Sequence, residues 1–148
     1  MSQADFYVLP DAEPDSRTAF LCRLADKVLG KGLQAYIQVA SESEAERLDQ
    51  LLWDYRPDAF IPHGKLDSKP DSPVQIGWGD QLPEHRDVYI NLNLEASEEI
   101  LKFSRILEIV IQQPDILAAT RKNYALYKAN GITPKMHDMR PAAKPPSS

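Results

Sequence analysis

Residues 4–39, ADFYVLPDAEPDSRTAFLCRLADKVLGKGLQAYIQV, carry the reading that decides the fold. Ala4–Leu9 is short, aromatic and β-branched and stops at Pro10, which predicts a buried strand. The loop PDAEPDS follows, with Ser16 as N-cap of a helix over about residues 16–29. Phe20, Leu21, Leu24, Val28 and Leu29 recur there at helical spacing, and Gly30 and Gly32 stop the helix. Gln34–Val39 is a second strand. Working outward, Ser41 or Ser43 caps a helix through about Tyr55, with Ala45, Leu48, Leu51 and Leu52 on one side. Strand, helix, strand, helix with short links is the grammar of a parallel sheet, because parallel strands need a crossover between them.

The middle of the chain is more broken. Ala59–Ile61 is a short strand, and His63–Ser72 is polar and turn-rich, hence a loop. Val74–Trp78 and Asp87–Leu92 read as further strands. In residues 103–111, FSRILEIVI, the apolar spacing permits a helix but the β-branched density favours a strand. Pro114 and Asp115 open a last helix to about Asn130, closed by Gly131. Residues 1–140 are expected to form one domain, and the tail 141–148, PAAKPPSS, to be disordered.

A chain of 148 residues has room for one core, and its net charge of −5 opposes sequence-independent binding to nucleic acid. There is no apolar run of membrane-spanning length, and MSQADFYVLP lacks the features of a signal peptide. A lone cysteine, Cys22, rules out an internal disulfide. The expectation is a soluble cytoplasmic protein with no membrane attachment.

Phosphate binding fails at the first turn. LPDAEPDSR contains no glycine, and Asp11, Glu13 and Asp15 would face any phosphate. Neither GxxxxGK[ST] nor GxGxxG occurs, and GKG at 30–32 follows a helix, where it acts as a stop. His63, His85 and His137 lack ligand-spaced partners, so no metal is expected; Cys22 sits among apolar helix residues as a packed, inert thiol. No cofactor and no catalytic residue is implied.

The charge distribution says more than its total. Six basic against two acidic residues give +4 from residue 113 onward, which leaves −9 for the rest of the −5 chain. Arg121, Tyr124 and Lys128 share one face of the last helix, with Tyr127 a turn beyond Tyr124. Cations beside an aromatic suit an acidic peptide with an apolar anchor or a terminal carboxylate. The plainer alternative is a solvated helix face with half-buried tyrosines. Trp53 and Phe60 bracket a proline-bearing turn, followed by Pro62 and His63; they either seal the core or present themselves to a partner.

Taken in order, FYVL, LDxLLW at 48–53, FIPHG at 60–64, PVQIGW at 73–78, DVYINL at 87–92 and RxxYxxYKxxG from Arg121 to Gly131 resemble the chi subunit family of bacterial DNA polymerase III, an accessory component of the clamp-loader assembly. The resemblance implies a Rossmann-like three-layer α/β/α sandwich with a mostly parallel sheet and no phosphate-binding loop. It implies a non-catalytic adaptor for DNA replication, joining the psi subunit to the acidic C-terminal tail of single-stranded DNA-binding protein. By the same resemblance Arg121 would hold the tail's terminal carboxylate, Val110 and Tyr124 would line a pocket for its last phenylalanine, and Lys128 would assist. Trp53, Phe60 and Pro62 would face psi, Phe60 most directly. The pattern's further cations fall at Leu117 and Ala125 here, so Lys122 and Lys128 would have to complete the basic ridge. DNA would be met only through other proteins. The rival readings are a nucleotide-binding enzyme on the same frame, and an adaptor whose Trp53–Phe60 surface takes a DNA-repair helicase in place of psi.

Overall fold

The central strands are buried on both faces, as they must be when helices cover a parallel sheet from each side. In a computed structural model, residues 3–54, 63–65, 74–79, 82–83, 85–92 and 98–139 are described. Seven strands form one sheet: β1 (Gln3–Val8), β2 (Ala35–Val39), β3 (His63–Lys65), β4 (Val74–Trp78), β5 (Val88–Asn91), β6 (Arg105–Val110) and β7 (Lys135–Asp138). Their order is β3-β4-β2-β5-β6-β1-β7, and every pairing is parallel. The helices are α1 (Pro14–Gly30), α2 (Glu42–Asp54) and α3 (Pro114–Ala129), with a 3-10 turn at Glu98–Lys102.

Chain direction decides which face each helix covers. From β1 through α1 to β2 the chain moves one way across the sheet; from β6 through α3 to β7 it moves the other. Right-handed crossovers must therefore put α1 and α3 on opposite faces. The rings of β1 record this. Tyr7 meets Phe20 of α1 at 5.1 Å between centroids, whereas its neighbour Phe6 meets Tyr124 and Tyr127 of α3 at 5.9 and 5.8 Å. Helix α2 packs beside α1 and against β2, β3 and β4. The sandwich is three-layered.

The α1 face is aliphatic at its centre, with Ile37, Ile76, Ile90, Leu107 and Ile109 all buried, and carries Asp5 towards the β7 edge. The α3 face carries Tyr36, Gln38, Tyr89, Asn91 and Glu108, also buried. A Cβ at Gly77 would collide with the Tyr36 ring. Tyr36 in turn donates to Gln38 Oε1 at 2.9 Å. The glycine of PVQIGW is thus the space in which Tyr36 lies.

Three points differ from the sequence reading. Helix α1 begins at Pro14 with Glu13 as N-cap, not at Ser16, because proline's missing N–H and fixed φ suit the first helical position. The Ser16 hydroxyl instead donates to Asp11 Oδ2 at 2.9 Å. His63–Lys65, read as loop, is an edge strand on β4, and the strand expected at Ala59–Ile61 lies outside the described residues. β7 was not anticipated at all. Residues 105–110 are strand, as their β-branched density indicated, and buried on both faces. Ser41 caps α2, its Oγ accepting Glu44 N–H at 3.3 Å while Glu44 Oε2 accepts Ala40 N–H at 3.1 Å, a reciprocal cap. Gly32 and Gly131 take φ of 75° and 81° just past α1 and α3, as helix stops.

Candidate functional site

In an open parallel sheet, a ligand crevice opens at the carboxyl ends of adjacent strands whose following helices go to opposite faces. Here those strands are β1 and β6. Their loops are sewn together. Leu9 N–H donates to Val110 O at 2.8 Å, Gln112 Nε2 to Leu9 O at 3.0 Å, Gln112 N–H to Asp11 O at 2.8 Å, and Gln113 Nε2 to Ala12 O at 2.8 Å. The Asp11 carboxylate also occupies the start of α1, accepting Glu13 N–H at 3.0 Å on one oxygen and the Ser16 hydroxyl on the other. A side-chain anion therefore sits where a phosphate would be cradled. The glycine-free turn has this consequence.

Helix α3, over the other face of β6, is seated by a buried carboxylate. Glu108 is 5% exposed and accepts hydrogen bonds from Tyr127 Oη at 2.5 Å, Asn123 Nδ2 at 3.2 Å and Asn91 Nδ2 at 3.4 Å. Burial pushes its pKa up to about 7, although the three hydrogen bonds and the charge of Arg17 pull the other way. Burial, reinforced by Glu108, raises the Tyr127 hydroxyl far above the ordinary tyrosine range. Asn123 and Tyr127 are one turn apart on α3, so Glu108 holds the helix at two points and fixes its rotation.

That rotation decides what α3 presents. Ile116, Asn123 and Tyr127 face the sheet, Tyr124 is half-buried against Phe6, and Arg121 and Lys128 are exposed. Neither cation has an ion-pair partner among the described residues. Val110, in register with Val8 on this same face, is buried at the end of β6. It contributes floor rather than surface. Lys122 and Ala125 are exposed, and Leu117 packs its side chain partly against the core. Of the residues expected to act together, Arg121, Tyr124 and Lys128 run along one flank of α3, and Val110 lies in the sheet that the helix covers. Trp53 falls in the last turn of α2, and Phe60 and Pro62 lie outside the described residues.

Two residues at the β7 edge of the sheet escaped the sequence reading. Met136 and Met139 are 49% and 51% exposed, the large apolar side chains most open to water among the described residues. Met136 pairs with Phe6 across β1 and β7, so it shares the α3 face, and Met139 N–H donates to Val8 O at 2.8 Å. The stretch KMHDM has no regular alternation, so nothing in it marked a strand. Elsewhere, Cys22 is buried with its thiol pushed up to about 11, a packed and unreactive sulfur. Among the described residues, no three His, Cys, Asp or Glu side chains gather in a metal-binding group, and no helix is long and apolar enough to cross a membrane.

Comparison with known proteins agrees with this geometry. The family profile for the DNA polymerase III chi subunit, HolC, matches residues 1–135. The DNA polymerase III subunit chi of Pseudomonas aeruginosa is 39% identical over 137 residues, covering 93% of this chain and 96% of that protein. The subunit of the same name from Escherichia coli is 27% identical over 139 residues, covering 89% and 95%. A similarity running through the sheet, the loops after β1 and β6 and α3 alike leaves one assignment: this chain belongs to the DNA polymerase III chi subunit family, non-catalytic accessory subunits of the replicative polymerase.

Proposed function

We propose that this chi subunit is an adaptor whose α3 surface takes the acidic C-terminal tail of single-stranded DNA-binding protein. Its Trp53–Pro62 segment would tie it to the clamp loader through psi. One observation supports the reading most. Arg121, Tyr124 and Lys128 stand in line on a helix locked in rotation by Glu108, with neither cation ion-paired among the described residues and the tyrosine half-sunk against Phe6. In this reading Arg121 grips the terminal carboxylate through charge-assisted, bidentate hydrogen bonds. Tyr124 flanks the last phenylalanine over a floor that includes Val110. Lys128 attracts the acidic residues before it, and the exposed Met136 extends the apolar apron. The protein works in the cytoplasm and meets DNA only through this partner, which suits a −5 surface.

Calorimetric titration with the tail peptide tests the reading. Saturable binding that weakens as salt rises and is lost on amidating the peptide's C-terminus is the expected result. Equal binding by the amidated peptide would remove Arg121 from its assigned role.

A further inference from the structure

A second cationic site lies on the opposite face of the sheet, between α1 and the amino-terminal ends of β5 and β6. It is a pocket of about 80 Å³, floored by Leu24, Val28 and Leu107 and bordered by Lys27, Lys31 and Arg105. The residues before 113 sum to −9, yet three of their cations border this one hollow. Lys27 and Lys31 are exposed, a turn apart, and without ion-pair partners among the described residues. Favourable contact with the α1 carboxyl end accounts for two lysines there. It does not account for Arg105, which comes from β6. That guanidinium donates from Nη2 to Asp5 at 2.7 Å and also meets the Tyr7 hydroxyl, which shares the pocket, while its buried Nε has no acceptor. A buried N–H with no acceptor is costly, so Arg105 is incompletely paired within the protein.

After Asp5 is set against Arg105, two positive charges remain around an apolar floor. A cavity of 150 Å³ admits benzene, so this one has room for a single aliphatic side chain and too little for a nucleobase. We propose that this pocket binds an internal acidic segment of a partner protein, inserting one aliphatic side chain between Lys27, Lys31 and Arg105. This goes beyond the tail-binding reading, since it uses the other sheet face and needs no terminal carboxylate.

The test uses the full isotope-labelled chain and the peptide Asp-Asp-Leu-Asp-Asp, acetylated and amidated so that it has no free terminus for Arg121. Saturable amide shifts at Leu24, Val28 and Leu107, with none along Arg121–Lys128, are expected. The Lys27→Ala, Lys31→Ala double variant should weaken binding about tenfold or more while its melting temperature falls only slightly, because both side chains are exposed. Replacing the peptide's Leu by Ala should weaken it, and replacing each Asp by Asn should abolish it. Absence of saturable shifts, shifts confined to α3, or wild-type binding by the double variant would each overturn the proposal. So would inorganic phosphate producing the same shifts at equal concentration, which would mark a simple anion site.

Discussion

Two buried carboxylates on neighbouring strands of the same sheet meet opposite fates. Asp5 of β1 faces α1 and is 1% exposed; it accepts from Arg105 at 2.7 Å and contacts His137 Nε2 at 2.9 Å. Glu108 of β6 faces α3 and has only neutral donors, Tyr127, Asn123 and Asn91, in direct contact. Burial raises both pKa values, but the cationic partners outweigh it at Asp5 and hold that carboxyl below its ordinary value, while Glu108 stays near 7. Charged partners working against burial set the sign at Asp5. The Asp5 cluster ties the edge strand β7 to β1, with Tyr7 and His137 stacked at 4.6 Å. The Glu108 cluster seats the helix that we assign to the partner.

The largest expected effect breaks the charged member of this comparison. Asp5→Asn strands Arg105 and loosens β7, and should cost about 3 kcal/mol in urea unfolding, the low end for a broken buried pair because Arg105 keeps contact with water. The Asp5 contribution is complete above the unfolded pKa and lost as pH falls through the lower folded one. The variant should therefore lose part of the wild type's acid sensitivity below about pH 4. An unchanged midpoint at pH 7 would mean that β7 is held by backbone pairing alone.

Next in size is Arg121→Ala on the α3 face, which should weaken tail-peptide binding by about 3 kcal/mol, roughly a hundredfold, without lowering stability. Arg121→Lys should fall between, since lysine keeps the charge and loses the planar fork.

Glu108→Gln sharpens the contrast through pH. A folded pKa of about 7 against an ordinary 4.5 means that Glu108 favours folding below the lower value, and that this advantage fades as pH rises to the upper one. Wild-type stability should decline between those limits. The glutamine variant should show no such decline and should be at least as stable at pH 8. A parallel pH profile for the two proteins would show Glu108 to be ionised throughout. Lys128→Ala is the smallest effect. An exposed cation beside an acidic tail should contribute less than about 1 kcal/mol, removable by salt.

The same contrast explains what the sequence disclosed. The βαβ grammar of residues 4–39 and the glycine-free turn were readable because strand, helix and turn chemistry are local. The segment RILEIV was ambiguous because a strand buried on both faces has no alternation to reveal it. Its lone glutamate, in an otherwise apolar run, was the visible hint of the network under α3. β7 and His63–Lys65 were illegible: short polar edge strands exist by pairing with a neighbour already in place, β1 and β4 respectively. Arg121, Tyr124 and Lys128 could be put on one helix face from spacing. Which way that face turns depends on Glu108, Asn123 and Tyr127, and hence on tertiary contacts.

The central claim is that α3 offers Arg121 to a terminal carboxylate. Titrating wild type and Arg121→Ala with the C-terminal peptide of the cognate single-stranded DNA-binding protein, free and amidated, addresses it most directly. The account predicts tight binding only for wild type with the free peptide, and about a hundredfold loss when either the guanidinium or the carboxylate is removed, with little further loss when both are. Arg121→Ala binding the free peptide as tightly as wild type would contradict it.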